Sequence, residues 1–214
     1  MANERTAPPP RVYRKRRRAQ QEAETRRHIT EAAVKLHGTV GPARTTISGI
    51  AAEAGVQRAT VYRHFPDLES VFTACSAHWA SLNPPPDPAS WERIADPGER
   101  LRRGLTELYG WYVWAEPMLT NVRRDAESVP TAITEAWQQR YAALAAVLMR
   151  GRRARGRARA RVAAAIGHAL DFETWRSLTR EHGLEPGEAV DLMADLLSAA
   201  GRPQGRSDSP EIRR

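Results

Sequence analysis

The 214-residue chain has a single cysteine, Cys75, so no disulfide can form within it, and a reducing compartment is the natural reading. It lacks any run of about 18 apolar residues, so no segment is expected to span a membrane. Its basic N-terminal stretch is not followed by an apolar h-region, which argues against a secretory leader and for a cytoplasmic protein with no membrane partner. No metal-ligand spacing joins the six histidines, and neither a glycine-rich phosphate loop nor a G-x-S-x-G elbow occurs. These absences leave no catalytic residue, no metal site and no cofactor to nominate, and they point away from an enzyme. No stretch alternates as strands do, and nothing repeats.

What is present is basic charge and helical periodicity. Lys and Arg number 33 against 25 Asp and Glu, a formal net charge of +8. Such a balance favours polyanionic partners. Residues 1–10 carry the run Pro8–Pro10 and read as a disordered tail. The cluster Arg11, Arg14, Lys15, Arg16, Arg17 and Arg18 extends that tail into a basic arm over 1–18. Either it is a solvated charge run, or it follows a nucleic-acid backbone or enters a minor groove.

Helical periodicity starts near Ala19, with Ile29, Ala32, Ala33 and Leu36 on one face. Thr46 is a good N-cap for a second helix with Ile47, Ile50, Ala51 and Ala54 on its apolar face. Gly55 breaks that helix, and a third runs from about Gln57 to Phe65. Asp67 then opens a connecting helix over 67–82, with Val71, Phe72, Cys75 and Trp79 facing inward. Cys75 is expected to be a core filler rather than a redox sensor. The segment Asn83–Ser90 holds four prolines and reads as a connection. Beyond it, helices are expected near 97–115, 117–127, 130–150, 158–182 and 186–200, with a frayed tail over 201–214.

The window Thr45–Phe65 has two short helices joined by a tight turn at Gly55-Val56. Gly supplies the left-handed conformation, Val56 is an apolar peg, and Ala51 is small where helices cross. This is a helix-turn-helix, whose second helix lies in a major groove. Arg58 is suited to a bidentate contact with guanine, Gln57 to reading adenine, and Ala59 to touching a thymine methyl. Thr60, Tyr62 and His64 offer donors to phosphates, and Arg63 can reach a phosphate or a base. Thr46 and Ser48 present hydroxyls at a helix N-terminus.

Residues 25–80 resemble the DNA-binding domain of the tetracycline-repressor (TetR) family of bacterial regulators. The resemblance rests on Thr45, Thr46, Ile47, Ile50, Ala51, Ala54, Gly55, Val56, Thr60, Val61, Tyr62, His64, Phe65 and Pro66. It implies an all-α homodimer of about nine helices. A three-helix DNA-binding domain, over 19–66, would be joined by a fourth helix to a ligand-binding and dimerisation domain, over 83–200. On the family pattern Thr46, Thr60, Tyr62 and His64 would hold phosphates of a double-stranded operator, while Arg58 and its neighbours would read bases. Two positions depart from the pattern: Leu68 stands where a lysine is common, and Gln57 where Ser or Thr is usual. The implied function is a ligand-responsive repressor acting on a pseudo-palindromic operator.

The C-terminal half concentrates aromatic residues, which read either as core or as the lining of an apolar effector pocket. Trp111, Trp114, Met118, Trp137, Tyr141 and Trp175 are the pocket candidates, and they suggest a small hydrophobic or aromatic effector. The last two helices resemble the family's dimer interface, with Ala163, Ile166, Leu170, Leu178, Val190, Met193, Leu196 and Leu197 as an apolar seam. Trp175 is open between pocket and interface. The arginine-dense stretch Arg150–Arg161 is either a solvated loop and helix start, or a second anion or nucleic-acid patch.

Overall fold

The computed structural model describes residues 11–201. The expected tails over 1–10 and beyond Gly201 lie outside them. Nine α-helices are found among the described residues, with no strand. They are α1 (Arg11–Thr39), α2 (Ile47–Glu53), α3 (Arg58–His64), α4 (Leu68–Leu82), α5 (Pro97–Arg124), α6 (Thr131–Met149), α7 (Gly156–Leu170), α8 (Phe172–Arg176) and α9 (Pro186–Ala200). The basic cluster is therefore not an extended arm: residues 11–18 are the first turns of α1.

The chain divides into two compact units. One takes in the described residues up to Asn83 together with Pro117–Ile133; the other takes in Pro84–Glu116 and the described residues from Thr134 on. The expected division at residue 83 therefore differs from the observed one.

In the first unit, Ile29 and Ala33 of α1, Ile50 of α2, Val61 and Phe65 around α3 and Val71 of α4 are all fully buried. Each of the fully buried Ile, Val and Phe side chains contributes about 1.5–3 kcal/mol by leaving water. Asn121, Arg124 and Asp125 join the unit across about eighty residues of sequence. The Asn121 side-chain amide donates to the His37 carbonyl (3.1 Å), and Arg124 donates to the Val40 carbonyl (2.9 Å). Asp125 accepts the Ala43 amide (3.1 Å), and hydrogen bonding from Arg124 holds its carboxyl at about 2. Nothing local in residues 117–133 announces these partners.

Two helix boundaries also differ. Residues 97–124 form one helix through Pro117, where a break was expected. The proline deprives only the Val113 carbonyl of a partner, and Val113 is exposed, so water can satisfy it. In the second unit the helix expected over 158–182 is broken at Asp171. The buried Tyr109 and Tyr112 hydroxyls donate to the Ala169 and Leu170 carbonyls (2.9 and 2.5 Å), occupying acceptors at the end of α7. The Asp171 carboxylate then caps α8, accepting the Glu173 amide at 2.8 Å.

Candidate nucleic-acid interface

The geometry of α2 and α3 follows from their termini. Thr46 caps α2, its hydroxyl oxygen accepting the Gly49 amide at 3.1 Å. At the other end Gly55 has φ +67°. The Val56 amide reaches the Ala51 carbonyl (2.9 Å) and the Gly55 amide the Ala52 carbonyl (3.2 Å). That 6→1 and 5→2 pair is a Schellman motif, which turns the chain sharply while satisfying the last carbonyls of α2. Val56 packs half-buried against the core, as its role of peg requires. Gln57 makes no side-chain cap, so α3 starts without one. Val61 and Phe65 anchor α3 inward, and its other face is left to solvent.

That outer face carries Arg58, Ala59, Tyr62 and Arg63, all exposed, with Gln57 exposed just before it. Arg58 Nη2 donates to the Tyr62 hydroxyl (3.2 Å), and its guanidinium lies 5.5 Å from the Tyr62 ring centre. The pair holds a planar five-donor fork at the surface on a short leash. Thr60 is half-buried; Thr46 and Ser48 are exposed at the start of α2. His64 is half-buried, and its Nε2 is enclosed with no hydrogen-bond partner among the described residues. Desolvation, helped by Arg63 and Arg26, lowers its pKa and favours the neutral ring. Only Nδ1 remains for an outside partner. Leu68, in the place of an expected lysine, is exposed on α4 and offers no donor.

Arg26 of α1 was not singled out in the sequence. Its guanidinium lies 4.0 Å from the centre of the Phe65 ring and donates to the His64 carbonyl at 2.5 Å, fixing the C-terminal end of α3. The two partners are 38 residues apart, so no local pattern could reveal the clamp. Arg16, Arg17 and Arg18 are exposed on the first turns of α1, and Arg18 is paired with Glu22 at 3.2 Å.

Cys75 is buried beside His37, with Sγ 3.3 Å from Nδ1. Burial pushes its thiol up to about 12, so the sulfur stays protonated and packs as a small apolar group. Among the described residues no group of three His, Cys, Asp or Glu side chains is placed to hold a metal ion. No described helix is long and apolar enough to cross a membrane.

Of the six pocket candidates, Trp111, Trp137, Tyr141 and Trp175 gather around Tyr112 in the second unit. Met118 falls in the first unit. Trp111, Trp137 and Tyr141 form a chain of ring contacts at 5.9 and 6.2 Å, and Trp114 is exposed. Trp175 packs inside the second unit. It is fully buried against Tyr112 and Phe172, and its indole N–H has no acceptor among the described residues. Most of the apolar seam is engaged within the chain. Ile166, Leu170, Val190, Met193 and Leu197 are buried within the chain itself, where α7 packs on α9, and Leu178 is half-buried. Side chains already out of water have little surface left to give a partner. Of the expected seam only Ala163 and Leu196 are exposed.

Residues 29–75 match the model of the family described as bacterial regulatory proteins, tetR family. Over 58 residues the chain is 41% identical to the HTH-type transcriptional regulator AcrR of Shigella flexneri, a match covering 27% of each protein. The chain thus aligns with only about a quarter of that curated relative's length. Its fold is similar to that of a TetR-like transcriptional regulator from Rhodococcus sp. RHA1, with a TM-score of 0.59 and 18% identity over 83% of this chain and 97% of that one. A tetR-family regulator from Streptomyces coelicolor also has a TM-score of 0.59, with 19% identity over 83% of this chain and 80% of the other. Over the segment that holds the helix-turn-helix, residues 29–75, the chain is thus similar to the tetR family of bacterial regulatory proteins.

Proposed function

We propose that this chain is a sequence-specific repressor that binds a pseudo-palindromic operator as a homodimer and releases it on binding a small hydrophobic or aromatic effector. The observation that carries the reading is the outer face of α3. Arg58 is exposed, tethered to Tyr62 and set on a helix whose other face is locked into the core. A guanidinium in that position suits the O6 and N7 of guanine, and Ala59 beside it permits close approach. Arg63, Thr60, Tyr62, Gln57, Thr46 and Ser48 supply contacts around it, His64 through Nδ1, and Arg16, Arg17 and Arg18 supply charge. Such contacts to phosphate set register, and base contacts set sequence.

The homodimer is supported by the outer faces of α7 and α9. Ala163, Ala164 and Gly167 on the first, with Leu192, Leu196 and Ala199 on the second, are exposed and apolar. Small residues let backbones approach, and the leucines supply area. Effector binding is supported by the aromatic concentration in the second unit. NalD of Pseudomonas aeruginosa, of similar fold at a TM-score of 0.52, is a repressor of a multidrug efflux pump. That protein's target is consistent with a hydrophobic effector here.

Selection of bound genomic fragments would define the operator. Arg58→Ala should then lower discrimination between operator and random duplex by about 1–3 kcal/mol, roughly 5- to 150-fold. Equal weakening on both duplexes would show that α3 does not read sequence.

A further inference from the structure

The second unit holds a charge distribution that operator binding through α3 does not use. From residue 136 to residue 170 the sequence has no Asp or Glu, while it has eight arginines: 140, 150, 152, 153, 155, 157, 159 and 161. Three of them are engaged. Arg140 donates to the Pro85 and Pro86 carbonyls, and Arg152 to those of Leu148 and Pro97. Arg150 pairs with Glu92 at 3.0 Å. The other five have no side-chain hydrogen bond or ion pair among the described residues, and Arg153, Arg155, Arg157 and Arg159 are exposed.

Their placement is self-repulsive. Arg155/Arg159 and Arg157/Arg161 are like-charged pairs at i, i+4, an arrangement that destabilises a helix. They also ring the N-terminal end of α7, where the helix dipole already disfavours positive charge. Arg155 occupies the N-cap with no side-chain bond, and the first turn holds no acidic residue. A polyanion laid against this end would relieve all of these at once.

The neighbouring residues narrow its class. Between the arginines stand only alanine and glycine: Gly151, Ala154, Gly156, Ala158 and Ala160. Insertion into a lipid interface needs bulky apolar or aromatic side chains beside the cations, and none is present. Single-stranded nucleic acid is gripped by aromatic stacking platforms, also lacking here. What remains is planar guanidinium on a small-residue surface, which suits the evenly spaced phosphates of a duplex backbone.

We propose that Arg153, Arg155, Arg157 and Arg159 form a second, sequence-independent contact for double-stranded DNA, separate from the helix-turn-helix. It goes beyond the proposed operator reading and does not depend on it, because the residues lie in the other unit.

The test uses the full chain and a random-sequence duplex, with binding measured from 50 to 200 mM salt. The variant R153Q/R155Q/R157Q/R159Q should bind at least tenfold more weakly at the low-salt end. Its slope of log affinity against log salt should be shallower by about 3–4, at roughly 0.9 for each phosphate no longer neutralised. The charge-preserving R153K/R155K/R157K/R159K should keep most of the affinity, which separates loss of charge from loss of fold. The four Gln substitutions should lower random-duplex affinity and slope by the same amount in an Arg58→Ala background, whereas operator discrimination should change only with Arg58→Ala, so failure of either idea shows separately. An unchanged slope and affinity in the Gln variant would overturn the proposal. So would loss of binding to anionic phosphatidylglycerol vesicles with duplex binding retained.

Discussion

His37 offers a direct test of how the first unit is packed. The ring is 3% exposed, lies 4.5 Å from Phe72 between ring centres and places Nδ1 at 3.3 Å from the Cys75 sulfur. Desolvation by these apolar neighbours lowers its pKa from 6.5 to about 4. The folded state therefore keeps His37 neutral at a pH where the unfolded chain protonates it. Because the folded value is the lower one, the unfolded state binds more protons, and stability falls as pH drops through 6.5 towards 4. The gap from 6.5 to about 4 corresponds to about 3 kcal/mol in full, at 1.36 kcal/mol per pH unit. At pH 5 about 2 kcal/mol of it should already be lost, because the unfolded histidine is then almost wholly protonated and the folded one is not.

The assay is urea denaturation followed by circular dichroism at pH 7.5, 6 and 5, on the native chain and on His37→Gln. The native protein should lose about 2 kcal/mol more than the variant over that range. His64, whose pKa is also lowered by desolvation, will leave a residual slope of the same sign in both proteins. Equal pH dependence in the two would refute the claim that His37 is held neutral by burial.

Two further outcomes follow from the helix ends. Gly55→Ala forces a Cβ into φ +67° with no neighbour within 4 Å, so the cost is conformational alone, about 1–2 kcal/mol. The melting temperature should fall by about 2–8 °C, and no change would mean that the turn is not left-handed. Arg155→Asp gives α7 the acceptor that its N-cap lacks and removes a like-charged pair, so it should stabilise by about 1 kcal/mol. A lower melting temperature for that variant would show that the end of α7 is held by something other than its cap.

The sequence by itself determined the helix-turn-helix. Thr46, Gly55 and Val56 act through hydrogen bonds and backbone angles within a few residues, and Ile29, Ala33, Ile50 and Val61 recur at helical spacing because one face of each helix is buried. These are short-range causes, readable along the chain. Tertiary structure decided what depends on distant partners. The Arg26 clamp on α3, the recruitment of Asn121, Arg124 and Asp125 to the first unit, and the tyrosine hydroxyls that end α7 all join residues 38 to 84 positions apart. It also decided which apolar residues of α7 and α9 remain outside. Periodicity marks an apolar stripe, and the packing of α7 on α9 consumed most of it. Ala163 and Leu196 were left on the surface, while Ile166 and Leu197 went to the core.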